Sequence, residues 1–301
     1  MSTHAPLPVT VIGGYLGSGK TTLVNHLLRH ADGLRLAIMV NEFGDLPIDE
    51  DLIEAEGDDM IALAGGCVCC SYGDDLMAAM QQLAAMEPGP DHIILEASGV
   101  ALPGSIASSL SLLPNVTDDG IVVVADAETV QARSRDKYMY DTVLRQLSDA
   151  DLVILNKVDL VDERRLDDLH HWLAEKAPEA AVVEAQHAGV DPAVVLQSFV
   201  GRPRGAYLKN AHRNPMKSMV ITPKGAIDAP AFAEELAQNE SVVRAKGFVM
   251  TAGGMRLIQV VGKRARVTEA DANCSVGVVV IGTDLQSVTD GEQIGNQNGS
   301  P

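Results

Sequence analysis

Nine residues near the amino terminus, Gly14-Tyr15-Leu16-Gly17-Ser18-Gly19-Lys20-Thr21-Thr22, constrain this chain more than any other stretch. They satisfy the pattern G-x-x-x-x-G-K-[ST], with Gly14, Gly19, Lys20 and Thr21 at its fixed positions. Gly14, Gly17 and Gly19 let the backbone curl until successive N–H groups converge on an anion. Lys20 supplies a point charge for the β- and γ-phosphates, and the Thr21 hydroxyl is a ligand for Mg2+. Ser18 and Thr22 belong to the same turn and join the candidate nucleotide-binding set. Residues 8–12 form a β-branched run before the loop, and residues 22–28 have helical periodicity after it. Strand, glycine loop and helix start are what a nucleotide phosphate site requires.

Apolar runs and helical stripes alternate downstream. Residues 34–40, 60–63, 92–95, 120–126, 152–155 and 181–184 read as strands, several apolar throughout as buried parallel strands are. Helical spacing covers 74–86, 104–113, 140–150 and 162–176. The stripe of Leu76, Met77, Met80, Leu83 and Met86 reads as core rather than as a thioether metal site. This alternation predicts an α/β domain over residues 1–200, a doubly wound P-loop fold with a mostly parallel sheet. Residues 201–217 bring Arg202, Arg204, Lys209, Arg213 and Lys217 among Gly and Pro and read as a linker. Residues 218–285 hold closely spaced strands at 219–221, 247–250, 256–261 and 276–281, a turn at Ala252-Gly253-Gly254 and a helix at 230–238. A smaller α+β C-terminal domain with an antiparallel sheet is expected there. Residues 286–301, rich in Gly, Asn, Gln and Ser, read as a disordered tail.

Charge narrows the partners. The formal net charge is −18, and residues 1–200 carry 11 Lys and Arg against 32 Asp and Glu. Such a surface repels nucleic acid and anionic lipid. Aromatic residues make up 3% of the chain, too few for a base-stacking platform. No apolar run is long enough to cross a bilayer, and residues 1–8 lack an apolar leader core, so a cytoplasmic protein is expected.

Three further constellations carry chemistry. Asn156-Lys157-Val158-Asp159, at the end of a strand in a P-loop domain, reads guanine. The Asp159 carboxylate can accept from N1–H and the exocyclic amine, whereas adenine has no donor at N1 and would leave a buried Asp159 unsatisfied. Asn156 would tether neighbouring loops, and the Lys157 stem would cover the base. Glu96-Ala97-Ser98-Gly99 occupies the slot between the phosphate and guanine motifs. A carboxylate there holds Mg2+ or orients water, and the Gly99 N–H can meet the γ-phosphate, so Lys20, Glu96 and Gly99 are the candidate catalytic groups. Finally, Gly65-Gly66 precedes Cys67-Val68-Cys69-Cys70. Thiolates on one tight turn are poorly placed to bridge one another and suit a soft ion such as Zn2+ or Cu(I). Zinc takes four ligands, so at least one more comes from elsewhere or the position stays open for exchange. Glu42 and Asp45, in the acidic segment Asn41-Glu42-Phe43-Gly44-Asp45, are the nearby candidates, and spacing does not choose between them.

Together these motifs, in this order, resemble the CobW-like metallochaperone GTPases. The similarity extends through Arg244-Ala245-Lys246-Gly247-Phe248 and Val280-Ile281-Gly282 to the family's C-terminal domain. The resemblance implies a GTP hydrolase that uses Mg2+, binds a transition metal, usually zinc, at Cys67, Cys69 and Cys70, and delivers it to a client metalloprotein or cofactor-synthesis enzyme. Many relatives have glutamate where Asp45 stands, and many carry a His-rich stretch where this chain has eight scattered histidines. The competing reading is a nucleotide-dependent interaction protein in which the cysteines are structural.

Overall fold

Runs such as His-Ile-Ile-Leu-Glu at 92–96 and Leu-Val-Ile-Leu-Asn at 152–156 are buried at every position, as strands covered on both faces must be. The computed structural model describes residues 6–31, 33–41, 60–65, 74–196, 217–270, 272 and 274–288. Two compact units divide the chain, one drawn chiefly from Met1–Pro178 and Val182–Ser198, the other chiefly from Ala211–Pro301.

Seven strands among the described residues build the sheet of the first unit: β1 Leu7–Gly13, β2 Leu36–Asn41, β3 Met60–Gly65, β4 His92–Glu96, β5 Val116–Asp126, β6 Leu152–Asn156 and β7 Ala181–Ala185. Their order is β3-β2-β4-β1-β5-β6-β7. The β1–β4, β1–β5, β2–β3, β2–β4 and β5–β6 pairings are all parallel. The connections are α1 Lys20–Arg29, α2 Asp74–Ala84, α3 Pro103–Leu110, α4 Val130–Arg133, α5 Tyr140–Ser148 and α6 Glu163–Lys176, with α7 Pro192–Val195 after β7. From β1 the chain first moves toward β2 and β3, then returns through β4 and proceeds to β5, β6 and β7. The reversal lies beside β1, and right-handed crossovers then place α1 on the opposite face from α3, α5 and α6. Because the strands are parallel, Gly13, Asn41, Gly65, Glu96, Asp126 and Asn156 all finish at one edge.

β5 starts at Val116, four residues before the run expected from residue 120. The polar stretch Thr117-Asp118-Asp119 hid its beginning, and the structure gives these residues partners. A register shift opposite Val9 and Thr10 leaves Asp119 as the extra residue of a bulge, with 1% exposure. The Thr10 hydroxyl donates to Asp119 Oδ2 at 2.9 Å and also lies 2.9 Å from His92 Nε2.

The second unit is a five-stranded sheet, ordered β11-β10-β9-β12-β8, from β8 Lys217–Ile221, β9 Val242–Thr251, β10 Gly254–Val261, β11 Arg264–Glu269 and β12 Gly277–Gly282. All its pairings with defined register are antiparallel. Helix α8, Ala229–Gln238, buries Phe232, Ala233 and Leu236 in a cluster with Ile221, Val249, Ile258, Val260, Val278 and Val280. Ala252-Gly253 closes the β9–β10 hairpin, at the turn expected from sequence. β11 is a strand the periodicity did not announce, because its Arg264, Arg266 and Glu269 suit an exposed edge, where charge discourages further pairing. Of the expected linker only Lys217 is described, as the first residue of β8. The expected tail begins inside a 3-10 turn at Leu285–Ser287 capped by Asp284, and its residues from 289 onward lie outside the described residues.

Candidate nucleotide site

β1 ends at Gly13 and α1 begins at Lys20, so the glycine loop turns at the carboxyl edge, beside the reversal of strand order. Gly14, Gly17 and Gly19 have φ of 131°, 77° and 107°, values that side chains disfavour. A Cβ on Gly14 would also run into the Val124 carbonyl oxygen, and one on Gly19 into the Asn156 amide nitrogen. At Gly17 a Cβ meets nothing within 4 Å, so there φ alone demands glycine. No side chain caps α1, and no acidic residue stands in its first turn. α3 and α4 share this, whereas α6, α7 and α8 are each capped by an aspartate: Asp162, Asp191 and Asp228. A helix start without a carboxylate, preceded by three glycines and opened by Lys20, fits an anionic phosphate chain. Lys20 is 8% exposed, its Nζ 3.5 Å from the Tyr15 carbonyl oxygen. The Arg133 guanidinium lies 5.2 Å from the Tyr15 ring centre.

Strand register sets Glu96 beside Ile12. The Glu96 side chain is buried, and the Thr21 hydroxyl donates to its Oε1 at 3.1 Å. A hydroxyl and a carboxylate form a hard oxygen donor set of the kind Mg2+ prefers, so these residues fit that ion. Beyond Glu96, the Ala101 N–H donates to the Ser98 carbonyl at 3.0 Å and closes a turn. Gly99 in this turn lies against the glycine loop: a Cβ there would stand 2.7 Å from Leu16 Cγ and 2.8 Å from its backbone nitrogen. The fold thus brings Lys20, Thr21, Glu96 and Gly99 around one loop. It adds Gln146 from α5, which donates to the carbonyl oxygens of Gly99 at 3.2 Å and Ala101 at 2.8 Å.

Asn156, 2% exposed, donates to the Ser18 carbonyl at 2.9 Å and accepts from the Ala188 N–H at 2.8 Å. One amide thereby joins the glycine loop to the loop after β7. That loop bends sharply, with His187 and Ala188 at φ of 51° and 53°. Lys157, at φ 62°, pairs with Asp126 at 2.7 Å. The second oxygen of Asp126 accepts from the Glu128 and Thr129 N–H groups at 2.9 and 3.2 Å. Asp159 stands in a 3-10 turn, Val158–Leu160, and is exposed rather than buried, because this turn projects past the end of β6.

Sequence reading missed three supports. Asp126 registers with Asn156 across β5 and β6 and could have been suspected as an acid closing an apolar strand. Gln146 carries no motif. His26 on α1 lies 2.7 Å from the Val190 carbonyl through Nε2, holding the far side of the loop after β7. Burial lowers the His26 pKa below its usual value, opposed by this hydrogen bond and reinforced by the neighbouring His30, whose ring centre is 4.4 Å away.

Residues 8–184 match the CobW/HypB/UreG nucleotide-binding domain, and residues 216–293 match the cobalamin synthesis protein CobW C-terminal domain. The chain belongs to the CobW family. It is 34% identical over 309 residues to the zinc chaperone CobW of a Sinorhizobium species, covering 87% of each chain. It is 32% identical to the zinc chaperone CobW of Pseudomonas aeruginosa, over 98% of this chain and 92% of that one. The zinc-regulated GTPase metalloprotein activator 1 of Schizosaccharomyces pombe is 32% identical over 63% of this chain and 48% of its own length. Both halves of this CobW-family chain thus have relatives, as the sequence motifs implied. Cys67, Cys69, Cys70, Glu42 and Asp45 lie outside the described residues. Among the described residues no group of three His, Cys, Asp or Glu is placed to hold a metal, and no helix is long and apolar enough to cross a membrane.

Proposed function

We propose that this chain is a GTP hydrolase whose nucleotide state controls the binding of zinc and its transfer to a client metalloprotein or cofactor-synthesis enzyme. The relatives named as zinc chaperones and as a zinc-regulated GTPase support the reaction and the cargo. The observation that carries the coupling is the register at the carboxyl edge. Asn41 pairs with Gly65, and Val40 pairs with Glu96. The chain leaves β3 two residues before Cys67 and leaves β2 one residue before Glu42. Neighbouring strands are about 4.8 Å apart, so the thiolate segment sets out roughly 10 Å, two strand spacings, from the backbone of Glu96. Glu96 in turn is hydrogen-bonded to Thr21 of the phosphate loop.

In this reading the backbone of 14–19, with Ser18, Lys20 and Thr22, holds the β-phosphate in both nucleotide states. Thr21 and Glu96 hold Mg2+, which when bound neutralises charge on the β- and γ-oxygens. The Gly99 N–H meets the γ-phosphate and loses that contact after hydrolysis. Asp159 selects guanine, Lys157 flanks the base, and Asn156 fixes the loops around it. Cys67, Cys69 and Cys70 hold zinc, with Glu42 or Asp45 completing the set. Linkage makes the coupling reciprocal, so zinc alters GTP affinity by the factor with which GTP alters zinc affinity. Free thiolates need a reducing compartment, which supports a cytoplasmic location. We take residues 1–200 as the GTPase domain and 218–285 as the C-terminal domain, joined by 201–217. Chelator competition with a GTP analogue, GDP or no nucleotide tests the coupling. Different zinc affinities, lost in Cys69→Ser, are expected. Equal affinities, or an unaffected variant, would leave the cysteines structural and the chain an interaction protein.

A further inference from the structure

Gln146 is a buried polar side chain for which neither the phosphate motif nor the guanine motif accounts. It sits on α5, at 1% exposure, beneath the turn that follows Glu96. Its amide nitrogen has two hydrogens, and both are used, one on the Gly99 carbonyl and one on the Ala101 carbonyl. Because both neighbours are acceptors, the nitrogen and not the oxygen must face them. The turn is therefore gripped from two sides. Leu16 of the phosphate loop blocks Gly99 on one, and Gln146 holds the peptides after residues 99 and 101 on the other.

On the reading that Gly99 senses the γ-phosphate of GTP, we propose that Gln146 is the positioning residue for that sensor. Fixing the 99–100 peptide limits the rotation available to Gly99 and so aims its N–H. A glycine with neither grip samples many backbone conformations, only a few of which point that N–H at the phosphate loop. The same α5 leads directly into β6 and the guanine motif, so the sensor is anchored on the framework that carries base recognition. An amide at residue 146 serves the terminal phosphate only. Its loss leaves the contacts to the base and to the β-phosphate in place.

The test uses the full chain and Gln146→Met, which keeps the length and removes both donors. The expected result is a fall in kcat for GTP of about tenfold or more, with the ratio of GTP-analogue to GDP affinity falling about tenfold and GDP affinity within about threefold of wild type. A folding defect lowers both affinities together and leaves their ratio unchanged, and that outcome overturns the proposal. So does a variant with wild-type kcat and ratio. Gln146→Glu, followed from pH 8 to pH 5, adds a profile: a carboxylate cannot donate, whereas its protonated form restores one donor, so activity relative to wild type should rise toward low pH. In unmodified protein, the Gln146 side-chain amide protons should exchange slowly with solvent and shift between the GDP and GTP-analogue states; unshifted resonances refute the role even if no variant folds. If the wild-type protein neither hydrolyses GTP nor distinguishes GTP analogue from GDP, the GTPase reading fails and this proposal with it. Hydrolysis by wild type with no effect at Gln146 overturns the positioning role alone.

Discussion

Asn156→Ala removes one side chain and cuts two long-range ties at once. The Ser18 carbonyl and the Ala188 N–H each have Asn156 as partner, at 2.9 and 2.8 Å, in a site where the side chain is 2% exposed. Leaving a buried polar group unsatisfied costs about 1–3 kcal/mol, so the pair sets a loss of about 2–6 kcal/mol. At roughly 2–4 °C per kcal/mol for a unit of this size, the first unit should melt at least about 4 °C lower. The same ties order the glycine loop and the loop after β7 before any nucleotide arrives. If binding must restore that order, a cost of about 2 kcal/mol weakens GDP by roughly thirtyfold. Thermal unfolding followed with and without GDP, and titration with a fluorescent GDP, measure the two effects. A stability change below about 0.5 kcal/mol together with unchanged GDP affinity would refute the reasoning, because it would mean the two backbone groups find other partners at no cost.

Gly14→Ala should abolish measurable nucleotide binding and lower stability by at least about 2 kcal/mol, since φ of 131° and the collision with the Val124 carbonyl oxygen act together; calorimetric titration showing wild-type affinity would contradict it. Burial depresses the His26 pKa below 6.5, so the unfolded chain takes up that proton first as pH falls. Stability from this group is therefore complete above about pH 6.5 and declines below it until the folded group also protonates. His26→Gln, which can still donate to the Val190 carbonyl, should flatten that segment of the urea-stability profile, and an unchanged slope between pH 7 and pH 5 would exclude the assignment.

Much of the fold was legible because its signals are local. Buried parallel strands announced themselves as unbroken apolar runs, and the positive-φ positions of the loop at 14–19 announced themselves as glycines, whereas those at Lys157, His187 and Ala188 carried no such mark. Signals failed where polar residues belong to regular structure. Thr117-Asp118-Asp119 breaks the apolar pattern by which the strand is read, yet it opens β5, because Thr10 and His92 supply partners that lie 109 and 27 positions from Asp119 in the chain. Arg264–Glu269 contains no apolar run and announces no element, yet it pairs along β10, because an edge strand needs only one face toward the core and gains from charge on the other. Asp159 shows the opposite error, since its recognition chemistry is readable but its exposure is not.

The sequence by itself determined which residue types stand together: a glycine-rich loop ending in Lys-Thr, an Asn-Lys-x-Asp tetrad, a strand-end acid and a run of three cysteines. These depend on residue type and short spacing, which survive without coordinates. Only the tertiary structure decided which of them meet. The Asn156 tie to Ser18 spans 138 residues, the Thr21 bond to Glu96 spans 75 and the Gln146 grip on Gly99 spans 47. Such contacts follow from strand order, β3-β2-β4-β1-β5-β6-β7, which sets unlike segments side by side at one edge. No local pattern encodes that order, because it is the whole sheet that settles which apolar run each strand lies against.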